Sequence, residues 1–155
     1  MRIQLPMKTR LICLASLIAA LAGCREIARL DGRVSATIEQ PTLDTMSDGT
    51  RALNAKVRFL NTSADLVTYD DCGPTILQRQ DKGSRFVDAS TPPRCGVVTE
   101  RDTSIEPDSE RVFNVHLTTV IEGAPGTVYR INFPVSTRGY DDQTVSSATF
   151  TLPAK

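Results

Sequence analysis

The chain has 155 residues, with 18 Lys plus Arg against 18 Asp plus Glu, four Cys, one His and no Trp. That length fits one domain, and the ordinary apolar and charged content excludes disorder along the whole chain. Residues 1–23 hold Arg2, Lys8 and Arg10 and no acid, so residues 24–155 carry 15 basic against 18 acidic side chains, a balance of −3; a nucleic-acid-binding domain announced by a basic surplus is excluded.

The basic first ten residues run into an apolar segment, Leu11 to Leu21, followed by Ala22, Gly23 and Cys24. This is the pattern of a signal peptide. Eleven residues of helix rise only about 16 Å, roughly half the hydrocarbon core, too short for a permanent transmembrane anchor. Leu21-Ala22-Gly23-Cys24 resembles the lipobox of bacterial lipoproteins. The resemblance implies that residues 1–23 are removed and that Cys24 becomes the mature N-terminus. There it carries a thioether-linked diacylglycerol, with a further acyl chain on its amine. Several chains hold a protein to a bilayer firmly, at about 0.8 kcal/mol per buried CH₂. Arg rather than Asp at position 25 resembles lipoproteins passed on to the outer membrane of a double-membrane cell. The implied setting is therefore the cell envelope, facing the periplasm or the cell surface, with the membrane as one partner.

Residues 25–33 are charged and lack an apolar period, so residues 24–33 read as a lipidated tether. Nine flexible residues reach about 16 Å. Cys13 lies in the discarded segment and Cys24 is acylated, which leaves Cys72 and Cys95 in the mature domain. In an oxidising envelope these two are expected to form a disulfide, closing a loop of about 24 residues worth roughly 3.5 kcal/mol. A metal or redox pair would call for Cys-x-x-Cys or a nearby His, and neither is present.

Residues 34–155 form the folded domain, and period-two alternation dominates it. Val34, Ala36 and Ile38 alternate with Ser35, Thr37 and Glu39, and Leu53, Ala55, Val57 and Phe59 with Asn54, Lys56 and Arg58. Such patterns are half-buried strands. Shorter candidates are Leu66 to Tyr69, Thr75 to Gln80, Ser84 to Ala89 and Gly96 to Glu100, set between turn signals such as Asp81-Lys82-Gly83 and Thr91-Pro92-Pro93. Further on, Phe113, Val115 and Leu117 oppose Asn114, His116 and Thr118; Tyr129, Ile131, Phe133 and Val135 oppose Arg130, Asn132 and Pro134; Ala148, Phe150 and Leu152 close the series. Seven to nine short strands with regular turns predict an antiparallel β-sandwich. Pro134, lacking an N–H, predicts an edge position or a bulge. Asn61-Thr62-Ser63 matches a glycosylation pattern and reads better as a polar turn that ends a strand.

The segment Gly123 to Tyr129 resembles the tyrosine corner of immunoglobulin-like sandwiches, in which a Tyr hydroxyl pins the connection crossing between sheets; a plain core aromatic is the alternative reading of Tyr129. Together with Val57 to Ser63 and Ile105 to Ser109, it makes the run from Val57 to Leu152 similar to bacterial immunoglobulin-like envelope domains, and loosely similar to the bacterial intracellular proteinase inhibitor family. The Cys72 to Cys95 spacing and the lack of Trp depart from antibody domains.

Candidate chemistry is sparse. The only His, His116, falls on the polar face of an alternating strand, and no Gly-x-Ser-x-Gly or partner Cys accompanies it. No phosphate-binding glycine loop, dinucleotide fingerprint or zinc-ligand spacing occurs, so no cofactor is expected. Asp70 and Asp71, with Asp141 and Asp142, could build a calcium site if both pairs sat in loops at one end of the sandwich. The strand reading of Leu66 to Tyr69 argues against that, and paired Asp is common turn chemistry. These residues predict a lipid-anchored binding or structural module of the cell envelope, not an enzyme, whose expected function is contact with a protein partner. A proteinase-inhibitor-like domain using the segment Gly73 to Arg94 is the alternative, and an envelope hydrolase a more distant one.

Overall fold

The computed structural model describes residues 33–70, 73–92, 103–137 and 140–152, with residues 140–142 described through the backbone alone. The signal segment, Cys24, most of the tether, Asp71, Cys72, Cys95 and the candidate strand Gly96 to Glu100 lie outside the described residues. The chain is an antiparallel β-sandwich, with ten strands among the described residues where the alternation predicted seven to nine.

One sheet, here sheet A, has the order β1-β2-β7, from Val34–Thr45, Arg51–Asn61 and Ser109–Thr118. β2 pairs with β7 without a slip from Ala52↔Thr118 to Asn61↔Ser109. β1 follows β2 in register until Gln40 and Pro41, where one extra residue forms a bulge and Gln40 takes φ 48°. A proline is tolerated there because the bulge lies on an edge strand.

Sheet B is organised by β8 (Val128–Thr137). On one side β8 pairs with β3 (Val67–Tyr69) and β4 (Ile76–Gln80), laid end to end, with β6 (Ser104–Ile105) outside β3 and β5 (Phe86–Asp88) outside β4. On its other side run β9 (Tyr140–Ser146) and β10 (Phe150–Thr151). Pro134 is thus in a central strand, which corrects the expected edge placement. The reason is local. Asp70 donates its N–H to the Pro134 carbonyl at 3.2 Å, so the side of Pro134 that lacks a donor faces the break between β3 and β4. Gly73 passes so close over the proline ring that a Cβ there would strike Pro134 Cγ. A register shift does occur beside β8 one step further on, between Val135 and Thr137, but the extra residue lies in the partner strand β9.

The inner faces match the predicted alternation. Leu53, Val57 and Phe59 of β2 and Leu117 of β7 meet Ile131, Phe133 and Val135 of β8, Leu77 of β4 and Val67 of β3, all essentially inaccessible. Phe59 lies at the centre, its ring 5.0 Å from that of Phe133, 5.5 Å from Tyr69 and 5.8 Å from Phe113, in tilted and edge-on arrangements that aromatic quadrupoles favour.

The sheets are joined at both ends by polar groups. Asn61, fully buried at the end of β2, donates from Nδ2 to the carbonyls of Asp65, Ile105 and Glu106 at 2.9–3.1 Å and accepts at Oδ1 from the Ser63 N–H and hydroxyl. The expected polar turn after β2 is therefore built around this side chain. At the same end Arg33 already belongs to the fold, since its carbonyl accepts from the Thr62 N–H and hydroxyl.

Candidate functional site

The strand directions give the sandwich two distinct ends. The first described residues, the 62–66 connection and the turn between β6 and β7 share one, here the N-terminal end. The β1–β2 hairpin, the tip between β4 and β5, and the crossover from β7 to β8 share the other, the far end. A half-open cleft of about 580 Å³ opens at the far end, lined by Leu43 of β1, Tyr129 of β8, Leu152 and the crossover residues Glu122 to Thr127. Its size is in the range of ordinary ligand pockets.

The bulge in β1 accounts for the cleft. In the N-terminal half β1 touches sheet B directly: Ala36 bridges Ser147, and the Ala148 N–H donates to the Ala36 carbonyl at 2.9 Å. After Gln40 and Pro41 no described residue of β1 pairs with sheet B, and the sandwich opens between β1 and β10. The hairpin bond from Met46 N–H to the Thr50 carbonyl sets the register. Alternation then turns the backbone groups of Leu43 and Thr45 away from β2. The lip of the cleft is thus an open strand edge.

Hydrogen bonds and a ring contact tie the floor and roof to the sandwich. Tyr129 is buried and its hydroxyl accepts the Gly123 N–H at 2.8 Å, the arrangement expected of a tyrosine corner. The Phe150 ring stacks on Tyr129 with centroids 6.1 Å apart. Ala124-Pro125-Gly126-Thr127 is a type II turn: Thr127 N–H donates to the Ala124 carbonyl at 3.0 Å, Pro125 precedes, and Gly126 takes the φ of 78° that this turn demands. Glu122 forms an ion pair with Arg51 at the rim. Of the four large apolar side chains exposed among the described residues, Met46 and Ile121 lie at this end beside the cleft, and Leu60 and Val112 lie on sheet A toward the N-terminal end.

The outer face of sheet A carries the remaining polar chemistry. Asp44, Asn54 and His116 form a chain across its three strands: Asn54 Nδ2 donates to Asp44 at 2.7 Å, which leaves Asn54 Oδ1 to accept from His116 Nδ1 at 2.6 Å. The ring is exposed, as predicted, and is held by an amide, with no nucleophile hydrogen-bonded to it among the described residues. Arg58 of β2 bridges Glu39 of β1 and Glu110 of β7. The hydrogen bond from Arg58, supported by its charge, holds the Glu39 carboxyl below the usual range.

The other predicted sites are scattered. Asp141 and Asp142 lie in β9, where a loop was expected, and Asp70 lies across β8 from that strand, in mid-sheet. The loops at one end imagined for a calcium site are therefore not the setting of these residues, and among the described residues no three His, Cys, Asp or Glu side chains form a group able to hold a metal ion. Gly73 to Arg94, the segment considered for protease insertion, holds the short strands β4 and β5 and, between them, an exposed tight turn over 81–85 in which Asp81 N–H donates to the Arg85 carbonyl at 2.7 Å; Pro93 and Arg94 lie outside the described residues. The cleft itself was not anticipated. Its one sequence signal is Gln40-Pro41 interrupting the alternation of β1.

No family model and no curated protein matches the chain. Among solved structures, it is similar to target SoR45 of the Northeast Structural Genomics Consortium, with a TM-score of 0.50 and 11% identity over 81% of this chain and 90% of that one. A Bordetella pertussis protein provisionally named ApaA aligns with a TM-score of 0.43 and 13% identity over 79% of this chain and 95% of its own. The first likeness concerns the all-β fold alone.

Proposed function

We propose that this chain is a lipid-anchored module of the bacterial cell envelope that works by protein contact and not by turnover. Acylation at Cys24 holds it to the membrane, in the outer membrane as Arg25 implies, and Cys72 with Cys95 staples the immunoglobulin-like sandwich. The observation that carries the reading is the separation of the two ends. Arg33, the first described residue, lies at the N-terminal end, whereas the cleft and the exposed Met46 and Ile121 lie at the far end. A tether with a reach of about 16 Å then keeps the N-terminal end near the bilayer and presents the far end to a partner. Recognition elements on a rigid scaffold are the common arrangement for binding domains. The inhibitor reading would rest on the exposed tip over 81–85 alone, since the flanking strand Ile76 to Arg79 is paired with β8 in sheet B.

Two measurements on the full-length protein in its host test this reading. Detergent-phase partitioning should be lost on Cys24→Ser; retention unchanged by that substitution overturns the anchor. A photo-crosslinking residue placed at Met46 or Ile121 should capture a protein partner in intact envelopes, while one placed at Thr62, at the N-terminal end, should not. Capture from Thr62 with none from Met46 or Ile121 overturns the assignment of the far end.

A further inference from the structure

We draw no further inference here: the strongest candidate, the half-open apolar cleft at the far end of the sandwich between β1 and β10, belongs to the contact surface already proposed, and nothing in the structure shows what covers it.

Discussion

The two sheets reach the same core by different routes. Sheet A is three long strands, each carrying its own alternation, and two of them pair over ten positions without a slip. Sheet B is one long strand, β8, on which four shorter strands are laid, with two more outside them. Order in sheet A is specified three times over by local pattern. In sheet B it depends on β8, so damage to β8 should spread further than damage to β7.

That difference can be broken by comparing two phenylalanines of the same aromatic cluster. Phe133 of β8 is fully buried against Phe59 and Tyr69, whereas Phe113 of β7 is only partly covered. Phe133→Ala should cost about 3–5 kcal/mol in denaturant unfolding, the range for deleting a buried aromatic. Phe113→Ala should cost clearly less, and equal losses would show that β8 has no special place.

The next largest effect is expected where the sheets are joined at the N-terminal end. Asn61 offers both amide hydrogens to carbonyls of the 65–66 and 105–106 segments, and no solvent reaches it. Asn61→Ala leaves those groups short of donors and should lose about 2–3 kcal/mol, as buried groups left unsatisfied do. Asn61→Asp, which keeps the shape but cannot donate when ionised, should also destabilise. A melting temperature unchanged by both would mean that the sheets are held together here by packing alone.

The same contrast explains what could be read from the chain and what could not. β2, β7 and β8 were legible because each keeps an apolar side chain on every second position over a long run, and the first half of β1 because Val34, Ala36 and Ile38 do the same. β9 was not, since Tyr140 to Ser146 has a single buried apolar residue, Val145, among its described side chains; it pairs through its backbone with β8 and needs little else. Pro134 misled for a related reason. A missing N–H forbids a ladder bond on one side only, and that side faces a break which lies in tertiary structure, beyond the reach of a local pattern. The tyrosine corner was legible because Gly, Pro, Gly and Tyr at fixed spacing impose a turn chemistry. The cleft that it roofs was not, because it arises from the register of β1 against two partners at once.

At the far end the link between the sheets is smaller, and so is the expected effect of cutting it. Tyr129→Phe removes one hydrogen bond, to the Gly123 N–H, while keeping the ring stacked on Phe150. A loss of about 1 kcal/mol is expected. Hydrogen exchange of the Gly123 amide should accelerate together with that loss, and capture of a partner from Ile121 should weaken as the crossover loosens. Unchanged exchange would show that the turn from Ala124 to Thr127 holds the crossover without the tyrosine.

The smallest effect is expected on the outer face of sheet A, at the residue that a histidine-based catalytic reading would use. His116 is exposed, and among the described residues its one hydrogen bond is to Asn54, whose amide stays tied to Asp44 when the ring is gone. Water can replace the lost partner at an exposed site, so His116→Ala should change stability by no more than about 0.5 kcal/mol, as ordinary surface substitutions do. General acid–base chemistry needs the ring within hydrogen-bond reach of a reacting proton, and the neighbours in its shallow depression are Lys56, Asn114 and Thr42, which supply no thiol and no activated serine. Partner capture from the far end should likewise survive the substitution. A turnover measured on any substrate that disappears in a folded His116→Ala protein would move the working surface from the end of the sandwich to the face of sheet A, and would replace contact with catalysis.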